Sequence, residues 1–337
     1  MKQLIYIICD FLGVNAFFRM LNSNKAIIIW YHGICDDDFT MLKGYDERHI
    51  PKSLFRKQIS YLKNKGYQFA TMSELVDILR NNKKINKAVV LTFDDGFRNV
   101  IENGYPIMQE LGAKGCFYLV ANLISQQNVL WTDLIEINVR KRPAGNFEFV
   151  FQGKPIEYAL SDKKSYENAI LDIKKKLRTI PDAQRRDHLK QFQSTNTESA
   201  PKEFNASTWD QIRSLDKNIL EAGSHTRHHP NCANLTTDAE FEAELKGSKQ
   251  DIEKEVGYAV DNFCYPAGSY DERVIEHAKK YGYKSASSII PGFNDATTPI
   301  YELRRIPTDE NFWLFKAMVS GSHFFISRWW MKIKRPQ

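Results

Sequence analysis

The sequence has few cysteines: Cys9, Cys35, Cys116, Cys232 and Cys264, an odd number, widely spaced and without a C-x-x-C pair. It therefore shows neither a disulfide framework nor the spacing of a thiolate zinc module. Three of the five sit in apolar or strand-like runs, so they read as buried free thiols, which favours a reducing compartment. No apolar run is long enough to span a membrane, because the N-terminal stretch MKQLIYIICDFLGVNAFFRMLN is broken by Asp10 and Asn15. Internal repeats and low-complexity segments are absent as well. Nor is charge heavily of one sign: 47 Lys and Arg stand against 41 Asp and Glu, a formal net charge of +6. The excess comes from dispersed lysines and a basic C-terminus, not from a stripe. It gives a nucleic-acid role no support and suits an anionic membrane surface better.

What is present is enough for a full core. Of the 337 residues 42% are hydrophobic and 12% aromatic, which excludes a disordered chain. Residues 1–24 read as an amphipathic N-terminal helix over 3–21, with Leu4, Ile8, Phe11, Leu12 and Phe18 on one side. The second reading, a secretory or anchoring segment, lacks a small-x-small cleavage site. The 311–337 tail ends FFISRWWMKIKRPQ and has two readings, an interfacial helix on anionic lipid or a tail helix packed on the body. These features predict a cytoplasmic protein, peripheral on the inner membrane face through its termini, with secretion or anchoring as the alternative.

Between the ends, residues 25–310 alternate two patterns. Apolar runs occur at 26–32 (AIIIWYH), 88–95 (AVVLTFDD), 115–120 (GCFYLV), 219–225 (ILEAGSH), 262–268 (NFCYPAG) and 284–289 (KSASSI). Near-continuous apolar runs suit parallel strands covered on both faces. Helical patterns lie between them at 53–66, 73–84, 241–257 and 271–282. The alternation predicts an α/β fold with a parallel sheet, open or closed into a barrel. Residues 122–208 break the rhythm with a helix-like WTDLIEINV, a hairpin FEFVFQGKPIEYAL and charged helices, and read as an insertion over one rim.

Two segments carry chemistry. LTFDDG (91–96) ends a strand with two acids and a glycine. It is either a polar turn or a pair of carboxylates dividing metal binding from proton transfer. GSHTRHHP (223–230) follows another strand; on one helical turn His225 and His229 would share a face suited to a divalent metal, with His228 pointing elsewhere. A solvated histidine-rich loop is the other reading. Two histidines and one aspartate make a three-ligand set with positions left for water.

Together these segments resemble the polysaccharide deacetylase family, also called NodB-homology or family-4 carbohydrate esterases. The matches are TFDDG at 92–96, HTRHHP at 225–230 and FCYPAG at 263–268. The resemblance implies a distorted (β/α) barrel of that type with a helical and hairpin insertion. It makes Asp94 the catalytic base, Asp95, His225 and His229 the metal ligands, Thr226 a brace of the histidine loop, and the backbone N–H at Tyr265 an oxyanion donor. The family's C-terminal Leu-x-x-His is missing. WYHGI (30–34) instead resembles the circularly permuted poly-N-acetylglucosamine deacetylase branch, in which the acid histidine comes first; His32 is the candidate, with a hydrogen-bonded core histidine as the other reading. The arginine expected ahead of the third motif is absent, since Val260, Asp261 and Asn262 stand there, and Arg304 or Arg305 is expected to pair with Asp94.

The implied activity is metal-dependent removal of the N-acetyl group of an amino sugar in a surface polysaccharide or lipid-linked precursor. The implied partner is that N-acetylated glycan, and the metal expected is zinc, with nickel, cobalt or iron also fitting the ligand set. Trp131, Tyr158, Trp209 and Tyr270 are candidates for stacking on sugar rings. An O-acetyl esterase and a catalytically silent glycan- or membrane-binding protein remain the alternatives.

Overall fold

The computed structural model describes residues 2–38, 48–192 and 200–333. Its strands are β1 (Ile27–Tyr31), β2 (Gly33–Cys35), β3 (His49–Pro51), β4 (Gln68–Phe69), β5 (Ala88–Phe93), β6 (Gly115–Leu119), β7 (Gly145–Phe151), β8 (Lys154–Leu160), β9 (Leu220–Ser224), β10 (Asn262–Cys264), β11 (Ser285–Ser287) and β12 (Ile306–Pro307). All six apolar runs became strands of one sheet, ordered β11-β10-β9-β6-β5-β1-β12, with β4 added beside β5. Every pairing in it is parallel. Its two edges meet through Leu303, just ahead of β12, which bridges Ser287 of β11. The Leu303 N–H donates to the Ala286 carbonyl and the Ser288 N–H to the Leu303 carbonyl. The sheet is thus curled into the (β/α) barrel expected.

Strand periodicity sorts the core into two layers. Ile27, Ile29, Val89, Leu91, Phe117 and Leu119 pack outward against helices. Their neighbours Ile28, Val90, Cys116, Tyr118 and Cys264 form a separate cluster, joined by Met72, Leu75 and Leu79 of the helix Met72–Arg80. Both faces of β5 are buried along its length, which is why its sequence does not alternate. Gly115 is dictated by this packing, because a Cβ there would stand 2.2 Å from the Leu91 carbonyl oxygen.

The insertion has a core of its own. β7 and β8 form an antiparallel hairpin pairing Phe147 with Tyr158, turning at Gln152 and Gly153, both at positive φ. Phe149 of the hairpin packs with Trp131, Ile135, Ile170 and Ile173 from the helices Trp131–Arg140 and Lys163–Leu177.

The N-terminal segment differs from expectation in its number of helices. The single helix over 3–21 is two, α1 (Lys2–Phe11) and α2 (Val14–Leu21), bent by 74°. Gly13, in the left-handed region at φ 77°, makes the break. The apolar side of α1 faces outward, with Leu4, Ile8, Phe11 and Leu12 exposed, while Asn15 is buried. Of the two readings of the 311–337 tail, its first helix takes that of a helix packed on the body: Phe312–Ser320 buries Phe315, Met318 and Val319 in the main core. A last helix runs Ser322–Ile333; the side chains from Arg328 onward, Trp329 and Trp330 among them, lie outside the described residues. Among the described residues no single helix is long and apolar enough to cross a membrane. All five cysteines are free, and all but Cys9 are buried.

Candidate active site

The motifs converge because parallel strands end at one rim of the barrel. His32 follows β1, Asp94 and Asp95 follow β5, His225 follows β9 and Tyr265 follows β10. Consecutive residues of an extended strand point to opposite faces, so two adjacent acids need a device to serve one site. That device is a left-handed turn: Asp95 has φ 74° and Gly96 φ 91°. The histidine segment uses the same device, which corrects the expectation of a helical turn. Residues 225–230 are irregular, with Thr226 at φ 67° and His229 at φ 56°. This folding back brings the two imidazole rings to 5.0 Å between centroids. Thr226 braces it as expected, its hydroxyl accepting the His229 N–H at 3.0 Å and donating to the His225 carbonyl. Strained non-glycine backbone of this kind costs about 1–3 kcal/mol per residue and persists where surrounding contacts impose it.

Asp95 Oδ1 lies 3.6 Å from His225 Nε2 and 3.5 Å from His229 Nε2. The three offer one ligand atom each, all within 4.8 Å of one another. His225 Nδ1 is 2.8 Å from the Cys264 carbonyl, which fixes the tautomer that leaves Nε2 a lone pair toward Asp95. Burial lowers the pKa of both rings, and for His229 the charges of His225, Arg185 and Arg48 lower it further. Neutral imidazoles beside a carboxylate are what a divalent metal requires, so the donor set fits one. A second grouping, Asp94, His225 and Cys264, is equally compact. It fits poorly, since Arg305 covers both Asp94 oxygens and burial drives the Cys264 thiol up, keeping it protonated.

Arg305 resolves the choice between the two arginines. Its Nη1 and Nη2 donate to Asp94 Oδ1 and Oδ2 at 2.8 and 2.9 Å, and its Nε donates to the Ser288 carbonyl. Arg304 is exposed and turned away, its backbone bonded to Asn294. Burial alone would raise the Asp94 carboxyl, but Arg305 outweighs it and holds the group below the usual carboxylate range. His32 stands opposite, its Nε2 3.9 Å from Asp95 Oδ2 and its ring edge-on to Trp30. It is half-buried, more exposed than the acids and histidines around it.

Tyr265 requires a correction. Its N–H is already donated to the Ser287 carbonyl at 3.2 Å, continuing the pairing of β10 with β11, so it is not aimed at an oxyanion. The side chain is structural too, with its hydroxyl on the Tyr301 carbonyl and its ring stacked on Tyr270 at 4.4 Å. Of the other aromatic candidates, Tyr158 bonds Asp172 and Trp209 bonds Ser125.

Several contacts at the site were not visible from sequence, and Trp131, a candidate for stacking on sugar, is buried behind the histidine loop instead. Arg48 donates to Asp95 Oδ2 at 3.1 Å and pairs with buried Asp133 of the insertion. Trp131 Nε1 and Arg185 Nη1, also from the insertion, both donate to the His229 carbonyl, at 3.1 and 2.8 Å. Arg185 additionally donates to the His228 carbonyl and lies over the Trp131 ring. His228 points away, as expected, and its Nδ1 is 2.7 Å from Glu244. The insertion therefore backs the ligand loop as well as flanking it. The only sequence signal was a tryptophan and an aspartate in the first turn of WTDLIEINV, which a core helix would also show.

Comparison with known proteins identifies the family and the fold. The family model described as polysaccharide deacetylase matches residues 81–147 and 163–286, together more than half of the chain. YxkH of Bacillus subtilis is 20% identical over 293 residues, covering 87% of this chain and 74% of that protein. The poly-beta-1,6-N-acetyl-D-glucosamine N-deacetylase of Staphylococcus aureus is 23% identical over 121 residues, only 34% of this chain and 42% of that protein. Among solved structures, the deacetylase PplD of Streptococcus pyogenes, in complex with acetate, has a TM-score of 0.59 at 18% identity, covering 87% of this chain and 98% of its own. IcaB from Ammonifex degensii gives 0.55 at 14% identity over 88% and 97%. With the barrel in place and the family model matched over more than half of its length, the chain belongs to the polysaccharide deacetylase family and is an enzyme of that class.

Proposed function

We propose that the protein is a metal-dependent deacetylase that hydrolyses the N-acetyl group of an amino sugar in a surface polysaccharide or a lipid-linked glycan precursor. The observation that carries this reading is the division of the two adjacent carboxylates. Asp95 faces two neutral histidines, while Asp94 is paired with Arg305 and kept ionised. The name of the staphylococcal relative supports N-acetylglucosamine as the sugar.

Asp95, His225 and His229 would hold the metal, zinc by default for this donor set, with nickel, cobalt or iron also suited. When bound, such an ion supplies Lewis acidity that polarises the acetyl carbonyl and acidifies water. Asp94 takes the proton of the attacking water. Its oxygens each accept from Arg305 yet keep further lone pairs for that proton. The water oxygen bonds the acetyl carbon, the C–N bond breaks, and His32 protonates the departing amine, so that acetate and a free amine result. His32 suits this because a protonated imidazole can act as a general acid and this one is half-buried beside Asp95.

The test is acetate release from N-acetylglucosamine oligomers by metal-loaded protein, with the free amine quantified in parallel. Equal yields of both are expected from the wild type. Asp94→Asn should bind metal without turnover, and His225→Ala should lose both. Near-normal turnover by Asp94→Asn would refute the assignment of the base, and acetate from O-acetyl but not N-acetyl substrates would make the enzyme an esterase.

A further inference from the structure

α1 and α2 are amphipathic in the wrong sense for a helix pair packed on a soluble body. Their polar side chains face the protein: Asp10 pairs with Lys316 at 2.8 Å, and Asn15, buried, bonds Asp10, Ser320 and Ser322. Their large apolar side chains face away. Phe11 is 90% exposed, Leu12 69% and Met20 62%, with Phe17, Leu21 and, from the last helix, Phe325 on the same unit. Phe18 and Phe325 are in ring contact at 5.5 Å, and Tyr6 bonds His323 at 2.8 Å, so both chain ends form one packed unit. Single exposed apolar residues are ordinary, whereas a contiguous group of this size marks a surface with a partner.

The charges identify that partner. In residues 1–25 the cations are Lys2, Lys25 and Arg19, the last turned to the Tyr61 hydroxyl of the body, and the only acid, Asp10, is neutralised by Lys316. Residues 311–337 contain Lys316, Arg328, Lys332, Lys334 and Arg335 and no Asp or Glu. We infer that α1, α2 and the last helix form a docking face for an anionic bilayer, lying in its surface with the aromatic and aliphatic side chains in the headgroup–acyl boundary. A surface-lying helix needs this combination of an apolar face and basic residues beside it. The 74° bend at Gly13 allows both helices to lie in one plane along a surface. This inference is independent of the chemistry assigned to the site.

The test is flotation of the full chain with vesicles of phosphatidylcholine alone or mixed with phosphatidylglycerol, comparing the wild type with the double variant Phe11→Ser/Phe17→Ser. Both positions are exposed, so the variant should keep the wild-type melting temperature. Binding is expected to the mixed vesicles, weakened by salt, and to drop by roughly tenfold or more for each apolar side chain removed. Phe11→Trp should retain binding, with its fluorescence shifting to the blue on contact with the mixed vesicles. Absence of binding by the wild type, or undiminished binding by the double variant, would overturn the inference. So would a lipid-free dimer that the double variant converts to monomer, because the face would then be covered by a second copy.

Discussion

Replacing Arg305 with methionine would keep most of the aliphatic volume while leaving Asp94 without its buried counter-charge. Both carboxylate oxygens now accept from the guanidinium, at 2.8 and 2.9 Å, in a setting where both residues are almost wholly buried. Breaking such a pair from one side costs about 3–5 kcal/mol, a large share of the ~5–15 kcal/mol that stabilises a domain. The variant can reduce that cost only by protonating Asp94. In the wild type the carboxyl is held low, so its contribution is present above the unfolded-state pKa of about 3.9 and fades as pH falls through the lower folded value. In the variant burial acts unopposed by Arg305, the folded pKa rises, and stability declines as pH increases. The destabilisation should therefore be small near pH 4 and approach about 3–5 kcal/mol above neutrality. Urea unfolding of metal-free wild type, Arg305→Met and the double variant Asp94→Asn/Arg305→Met at acid and neutral pH measures it. The added Asn should recover most of the loss, because it removes the stranded charge. An equal loss at both pH values, or no recovery in the double variant, would refute the reasoning. Turnover should vanish in Arg305→Met even where it folds, since a neutral Asp94 accepts no proton.

The insertion's hold on the ligand loop gives a second expectation. Trp131→Phe and Arg185→Ala each remove a donor from the His229 carbonyl and should weaken metal binding by about 10–100-fold, as outer-shell changes commonly do; calorimetric titration with zinc is the check, and unchanged affinity would limit these residues to a packing role. A third concerns Glu221, which accepts from the Ser73 N–H and hydroxyl and from Asn262, and whose carboxyl burial pushes up to about 7. A raised folded pKa favours the protonated acid, so the stability it contributes is full below about pH 4.5 and lost as pH rises through 7. Glu221→Gln should flatten that part of the stability profile, measured by denaturant midpoints across the range, and an unchanged slope would place its origin elsewhere.

The sequence alone determined what depends on local pattern. Apolar runs with polar ends specified six of the eight strands of the barrel sheet, because a parallel strand covered on both faces needs continuous apolar side chains and its C-terminal end is where the chain turns polar. The adjacent acids at 94–95 and the histidines at 225 and 229 marked a candidate metal set, and the resemblance to the polysaccharide deacetylase family is what set it apart from a polar turn and a solvated histidine loop. Tertiary structure decided what depends on direction. Two arginines adjoin in sequence, yet only Arg305 enters the barrel, because neighbours before a strand point to opposite sides. The histidines meet through left-handed backbone at Thr226 and His229, not on a helical face, and periodicity cannot signal strain imposed by surrounding contacts. The Tyr265 N–H was claimed by the neighbouring strand, a pairing visible only once register is known. Arg48, Asp133, Trp131 and Arg185 reach the site across long separations in the chain, and nothing in their local sequence distinguishes a brace from an ordinary core or surface residue. The same holds for α1: its apolar stripe was legible, but which way the stripe faces was settled by the pairing of Asp10 and Asn15 with the helix Phe312–Ser320 and the residues just beyond it, some three hundred positions away.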